Sequence, residues 1–261
     1  MDLGLHGKTA LVFGAGGGLG GAIARSLAQE GAQLALADIN GEAVEQLGEE
    51  LRQAGTKVVC LEWDLGDLSL IDTHITHIEQ ELGGIDILLN NTGGPPPTSA
   101  AGQDATTWMK YFQSMVVSVI AVTDRVLPGM RDRGFGRIVT SSSSGVLAPI
   151  PNLGISNTLR ASLMTWSKTL AREVAKDGVT CNLIIPGRVA TARVRFLDEQ
   201  RAQRENRSVA QIAAESAATI PMQRYGEPQE FADVATFIAS ERASYITGSV
   251  IRVDGGLIAG V

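Results

Sequence analysis

The feature that most constrains this chain is a turn crowded with glycine. Gly14, Gly16, Gly18 and Gly20 fall in FGAGGGLGG, directly after the apolar run Thr9–Phe13 and at the head of the amphipathic run Gly18–Glu30. Glycine lets a backbone come close to a bound anion, and a helix N-terminus adds free N–H groups and a positive dipole end. Leu19 lies inside the same turn. Glycines alone are weak evidence, but the next strand-like run, LALADIN, ends on an acid, Asp38. Strand, glycine turn, helix, strand and terminal acid together specify a dinucleotide site. A carboxylate there can accept from both hydroxyls of an adenosine ribose and would repel a 2′-phosphate. No Arg or Lys stands between Phe13 and Leu19 or just after Asp38, so NAD is expected rather than NADP.

The same rhythm continues along the chain. Strands are predicted at Thr9–Phe13, Gln33–Ala37, Lys57–Leu61, Ile85–Asn90, Arg137–Thr140, Val179–Ile185 and Ser249–Val253. Helices are predicted at Gly18–Glu30, Glu42–Ala54, Leu68–Leu82, Thr106–Arg131, Ser156–Lys176 and Gln229–Ser240. This alternation predicts an α/β fold, a seven-stranded parallel sheet with helices on both faces. Gly31, Gly55 and Gly178 each follow a helical run, as helix-ending glycines do. One segment breaks the rhythm. Residues 187–224 hold seven arginines and four acids with few strand signals, which suggests a lid-like insertion over a site. A solvated helical pair is the plainer reading.

Composition narrows the partners. A formal charge of −6 argues against nucleic acid or an anionic membrane surface. No apolar run approaches membrane-spanning length and the N-terminus lacks a signal-peptide pattern, so a cytoplasmic protein is expected. Cys60 and Cys181 lie in strand-like runs and read as small buried hydrophobes. A small-molecule substrate is the expected partner.

Two further stretches suit a dinucleotide crevice, since ligands sit at strand ends in such sheets. EWDLGD offers the Asp64 carboxylate and the Leu65 N–H to an adenine; Asp64 as a helix cap is the alternative. ILLNNTGG puts Asn90 and Gly93 at the fourth strand end; Asn90 could instead tie strands together.

With GAGGGLG, Asp64–Leu65, NNTG, LPGM, GFGRIV, SKTLAREV, VTCNLIIPG and YITGSVIRVDGG in this order, the chain resembles the short-chain dehydrogenase/reductase family over nearly its whole length. It is close in style to the 3-oxoacyl-acyl-carrier-protein reductases. The resemblance implies a single doubly wound Rossmann-fold domain over 1–261, bound NAD(P), a homotetramer, and backbone contacts to the nicotinamide at Pro186 and Gly187, with Thr191 bonding the carboxamide or phosphate.

It also implies a catalytic set of Asn, Ser, Tyr and a Lys four residues on. Tyr protonates the alkoxide left by hydride delivery. Lys lowers the Tyr pKa, Ser holds the substrate oxygen, and Asn positions a relay water. Matched position by position, the Ser is Ser143. The other three positions hold Ser156, Arg160 and Met115, and Phe13 stands where a Thr is usual. Ser156 is a far weaker acid than a tyrosine. Arg160 keeps the charge and could reach the nicotinamide ribose, but does not cycle a proton. Tyr111, one turn from Met115, is an alternative donor. His6, His74 and His77 read as surface residues remote from the reacting edge. Met115, Val119, Leu163 and Met164, apolar beyond one helix stripe, are expected to pack between subunits.

Two functions therefore stand open. One is an NAD(P)-dependent oxidoreductase acting on a ketone or secondary alcohol, with a 3-oxoacyl thioester among the options and atypical acid–base residues. The other is a non-catalytic cofactor-binding subunit of a hetero-oligomer with an active relative, or a nucleotide sensor. Non-redox chemistry such as elimination or epimerisation is a minor third.

Overall fold

The computed structural model describes residues 1–260. Seven parallel strands form one sheet in the order β3-β2-β1-β4-β5-β6-β7. They are β1 Thr9–Phe13, β2 Gln33–Asp38, β3 Val58–Glu62, β4 Ile87–Asn90, β5 Gly136–Ser141, β6 Val179–Pro186 and β7 Val250–Val253. The helices are α1 Gly18–Gln29, α2 Gly41–Gln53, α3 Ile71–Leu82, α4 Ala105–Phe112, α5 Ser118–Asp132, α6 Gly154–Val174, α7 Ala192–Glu205, α8 Val209–Ala218 and α9 Pro228–Ile238.

The central strands are apolar at nearly every position because both sheet faces are covered. Successive side chains alternate between the two layers. Val12, Leu34, Leu36 and Leu89 pack with Ile23 and Leu27 of α1, Val44 of α2, and Phe231 and Ile238 of α9. Leu11, Phe13, Leu88 and Ile138 pack on the opposite side with Ile75 and Ile78 of α3, Val122 and Val126 of α5, and Leu170 of α6. A third apolar cluster joins Met115, Val119, Ile155, Leu159, Leu163, Leu183 and Ile185.

Several sequence expectations change here. The helix expected over Thr106–Arg131 is two helices, α4 and α5, joined by a π turn at Gln113–Val117 with Met115 at its centre. Such turns shift side chains out of α register and often mark functional sites. The segment 187–224 contains a helical pair, α7 and α8; a capping box at Ser208 and Gln211 starts the second. Met115, Val119 and Leu163 are buried in the chain's own core rather than held out for a partner subunit, because the π turn and α6 face each other across that cluster. His74 is half-buried, not a surface residue. Its ring lies 4.7 Å from that of Trp63, and burial, with His77 as a lesser cause, keeps its pKa below the usual value. Both thiols are pushed up to about 11, chiefly by burial, and neither is in a disulfide. Among the described residues no helix is long and apolar enough to cross a membrane, and no group of His, Cys, Asp and Glu could hold a metal.

Candidate active-site crevice

In a parallel sheet all strands end on the same edge. Asp38, Asn90, Ser141 and Pro186 close β2, β4, β5 and β6 on that edge. The strand order reverses between β1 and β4, and that reversal opens a crevice.

At its β1 side the glycines are sterically required. Gly14 has φ +65°, and a Cβ there would lie 2.6 Å from Asn91 Nδ2. A Cβ on Gly20 would fall on the Gly14 carbonyl oxygen, and one on Gly18 would lie 2.9 Å from Thr191 Cγ2. That last approach matters most. Thr191 caps α7, its Oγ1 accepting from the Val194 N–H at 3.3 Å. The N-termini of α1 and α7 therefore face one space, and their two positive ends favour an anion such as a pyrophosphate. Leu19 is half-buried beside it. Asp38 is held in place by two backbone donors: Oδ2 accepts from Gly16 N–H at 3.1 Å and Oδ1 from Asn40 N–H at 3.0 Å.

Farther along, Asp64 Oδ1 accepts from Gly66 N–H at 2.7 Å, while the short helix at Leu68–Leu70 is capped by Asp67. Asp64 is thus a turn residue at the β3 end, not a helix cap, and Leu65 follows it half-buried. Asn90 Nδ2 donates to Thr140 Oγ1 at 3.5 Å and so links β4 to β5, but its Oδ1 is buried without a partner. Thr92 Oγ1 and Ser142 Oγ are orphaned in the same way. Buried polar atoms without partners call for a ligand or water, and these three lie at the β4 and β5 ends. A Cβ on Gly93 would meet nothing within 4 Å. The residues present therefore fit a dinucleotide: a cradle for phosphates, a carboxylate for a ribose, and free polar atoms at the far end. Gly187 has a different reason to be glycine. A Cβ there would lie 2.6 Å from Asp254 Cα, so the close packing against the β7 exit requires a glycine at this position. Pro186 beside it is half-buried.

The reacting end gathers Ser143, Ser156 and Arg160. Ser143 is half-buried, and its Oγ accepts from Gly145 N–H at 3.1 Å, which leaves the hydroxyl proton free to donate. Ser156 sits in the first turn of α6, only 7% exposed, and its hydroxyl has no hydrogen bond among the described residues. Arg160, one turn on, is buried. Its Nη1 donates to Ser141 O at 3.4 Å, and its Nη2 to Thr92 O at 3.0 Å and Gly93 O at 2.9 Å. The guanidinium thus fastens the β4 and β5 exits together. At the other end of β5, Arg137 also donates only to carbonyls, those of Ser240, Gly136 and Gly178. Burial pushes Arg160 down to about 10, with nearby Arg193 the second cause, so it stays cationic at neutral pH. Its reach toward a ribose is limited by these three carbonyls.

Met115 is 2% exposed and offers no hydrogen bond. Of the tyrosines, Tyr225 donates to Asp198 at 2.7 Å and Tyr245 is fully exposed. Tyr111 is half-buried and close enough to Arg193 to act on it electrostatically. Two functional features were not legible in sequence. Asp198, buried in α7, receives Arg188 at 2.6 Å and Tyr225 at 2.7 Å, which fixes the helical pair to the β6 exit. Arg193 donates to Pro95 O at 2.7 Å, from α7 to the loop after β4. Its only sequence signal was the arginine excess of 187–224.

Comparison with known proteins agrees with this fold. The family model described as enoyl-(acyl carrier protein) reductase matches residues 14–258. Nodulation protein G of Azospirillum brasilense is 36% identical over 253 residues, 96% of this chain and 98% of its own. The 3-oxoacyl-[acyl-carrier-protein] reductase of Aquifex aeolicus is 33% identical over 260 residues, 98% of this chain and 100% of its own. Among solved structures, L-sorbose reductase from Gluconobacter frateurii, complexed with NADPH and L-sorbose, superposes with a TM-score of 0.94 at 30% identity, covering 100% of both chains.

Proposed function

The chain belongs to the short-chain dehydrogenase/reductase family of NAD(P)-dependent oxidoreductases, and from that premise we propose that it transfers hydride between NAD(H) and a ketone or secondary alcohol. The observation that carries this reading is the approach of Gly18 to Thr191, which aims two helix N-termini at one space between Asp38 and the Ser143–Arg160 end. When bound, the nicotinamide supplies or accepts the hydride. Ser143 Oγ–H donates to the substrate oxygen, and the Arg160 charge steadies the developing alkoxide. The proton comes from solvent or Ser156. The loss of a positioned acid typically costs about 10² to 10⁴ in rate, so turnover is slow. Residues 1–261 act as one dinucleotide-binding domain, with 187–224 as its lid.

The test is NADH oxidation by the purified protein on a panel of ketones and 3-oxoacyl thioesters. Ketone-dependent oxidation supports the reading. Bound NADH with no turnover on the panel supports the alternative, a non-catalytic cofactor-binding partner or sensor. One observation favours that alternative: the Arg160 Nη atoms are committed to backbone carbonyls.

The cofactor preference is a separate expectation. The L-sorbose reductase holds NADPH, but here a carboxylate held by two N–H groups stands at the ribose edge. NAD(H) is expected to bind about tenfold or more tighter than NADP(H) in a fluorescence titration, with the preference lost in Asp38→Ala. Equal affinities in the wild type would overturn the assignment.

We also propose a homotetramer. The surface available for it includes Met109 and Phe112 on α4 and Tyr245 and Val250 near the last strand, all exposed. Light scattering at micromolar concentration should give the mass of four chains. A monomer mass would contradict it, and an obligate complex with an active relative would favour the partner-subunit reading.

A further inference from the structure

We propose that Arg193, with Arg160 beneath it, is the seat for a carboxylate of the substrate, which makes that substrate an oxo or hydroxy acid rather than a neutral carbonyl compound or a thioester. The inference rests on the hydride-transfer reading for where the substrate lies, but its evidence is separate.

Segment 187–224 has seven arginines. Six find a carboxylate: Arg188 with Asp198, Arg195 with Glu199, Arg201, Arg204 and Arg207 with Glu205, and Arg224 with Glu230. Arg193 has no carboxylate partner among the described residues, and neither has the buried Arg160. Of the five N–H donors on a guanidinium, Arg193 uses one, toward Pro95 O.

Arg193 stands in the first turn of α7, where the helix dipole opposes a cation. It also lies close to another cation: a Cβ on Gly94 would lie 3.5 Å from Arg193 Nη2 and 3.6 Å from Arg160 Nη2. Two like charges and a dipole end in one partly dry place oppose one another until an anion enters.

The phosphate cradle is at Gly18 and Thr191, whereas Arg193 leans away to the loop after β4, beside open space over Gly93. An anion there is at the reacting end. The other anion within reach is the cofactor's own pyrophosphate, and the experiment separates the two.

The probes are 3-oxobutanoate and its methyl ester, offered to the full-length protein saturated with NADH. Turnover is followed by NADH absorbance. Binding is followed independently by saturation-transfer NMR with NAD⁺ bound. The acid should be preferred over the ester by about tenfold to a hundredfold, as a charge-assisted pair of hydrogen bonds allows. Arg193→Gln should collapse that ratio toward one, Arg193→Lys should restore part of it, and the NADH dissociation constant should stay near the wild-type value. Acid and ester bound alike, or no binding of the acid, overturns the seat. So does an Arg193→Gln variant that loses NADH affinity as strongly as acid affinity, because Arg193 would then serve the pyrophosphate. Preferential binding of the acid without turnover keeps the seat and removes the hydride-transfer reading. Turnover without charge preference does the reverse.

Discussion

Gly20→Ala is expected to abolish measurable dinucleotide binding and to lower the melting temperature by roughly 10 °C. The added methyl would fall on the Gly14 carbonyl oxygen and 2.6 Å from the Gly14 carbonyl carbon. These are backbone atoms in the turn that joins β1 to α1, so no rotamer change can relieve the clash. Either α1 lifts off β1 or the turn opens. The first loses packing of Ile23 and Leu27 against the sheet; the second breaks the Gly17 N–H to Gly14 O bond of 3.0 Å. Overpacking of this kind costs about 3 kcal/mol. Gly93→Ala is the control, because nothing lies within 4 Å of a Cβ there. It should melt with the wild type yet bind the dinucleotide more weakly, since its methyl occupies ligand space. Thermal melts and fluorescence titrations of both variants check the pair. A Gly20→Ala protein that melts and binds normally would mean that the turn does not hold α1 against β1 as described.

The fold was legible because its signals are local. Thr9–Phe13 is a strand with the bounds expected, and the other six strands shift by at most two residues. An apolar run between a helix-ending glycine and a glycine turn needs no distant information to be placed. Gly31, Gly55 and Gly178 do take positive φ after their helical runs. The π turn at Met115 was not legible, because an extra residue per turn leaves the apolar spacing of Val116, Val119 and Val122 close to helical. Apolar residues in excess of one stripe suggested a subunit interface, yet Met115 and Leu163 meet each other's cluster within one chain. Periodicity tells that a face is buried, not what buries it.

The site divides along the same line. Asp38 and the glycines are set by one β-α-β unit, so spacing alone located them. Arg160 was located by spacing too, but its work was not. Its acceptors, Thr92 and Gly93, are 68 and 67 residues away in sequence, and no local pattern announces a carbonyl in need of a donor. Asp198, Arg188 and Tyr225 meet across 10 and 27 residues for the same reason. Gly187 carries a constraint of the same distant kind: a Cβ there would lie 2.6 Å from Asp254 Cα, 67 residues on, which no local pattern announces.

The replacement of Ser156 by tyrosine together with Arg160→Lys is expected to raise ketone reduction by about a hundredfold or more, the typical worth of a positioned general acid. Neither change should suffice alone. Ser156→Tyr by itself sets a phenol beside a guanidinium that is engaged with Ser141, Thr92 and Gly93 and cannot pass a proton. Arg160→Lys by itself supplies an ammonium with no phenol to act on. The pair also has a cost. The guanidinium reaches its three carbonyls from two separate nitrogens, whereas an ammonium has all its donors on one, and one carbonyl at the β4 or β5 exit left without a donor costs about 1–3 kcal/mol. A lower melting point with higher activity is therefore the expected combination, and it separates this change from a general improvement in folding. Adding Met115→Asn should lift the rate further, since the π turn already carries that position beside α6. The measurement is steady-state NADH oxidation across pH. The wild type should show no limb from a tyrosine, and the double variant should gain one. A folded double variant that binds NADH and reduces ketones no faster than the wild type would mean that the missing acid is not what limits this crevice.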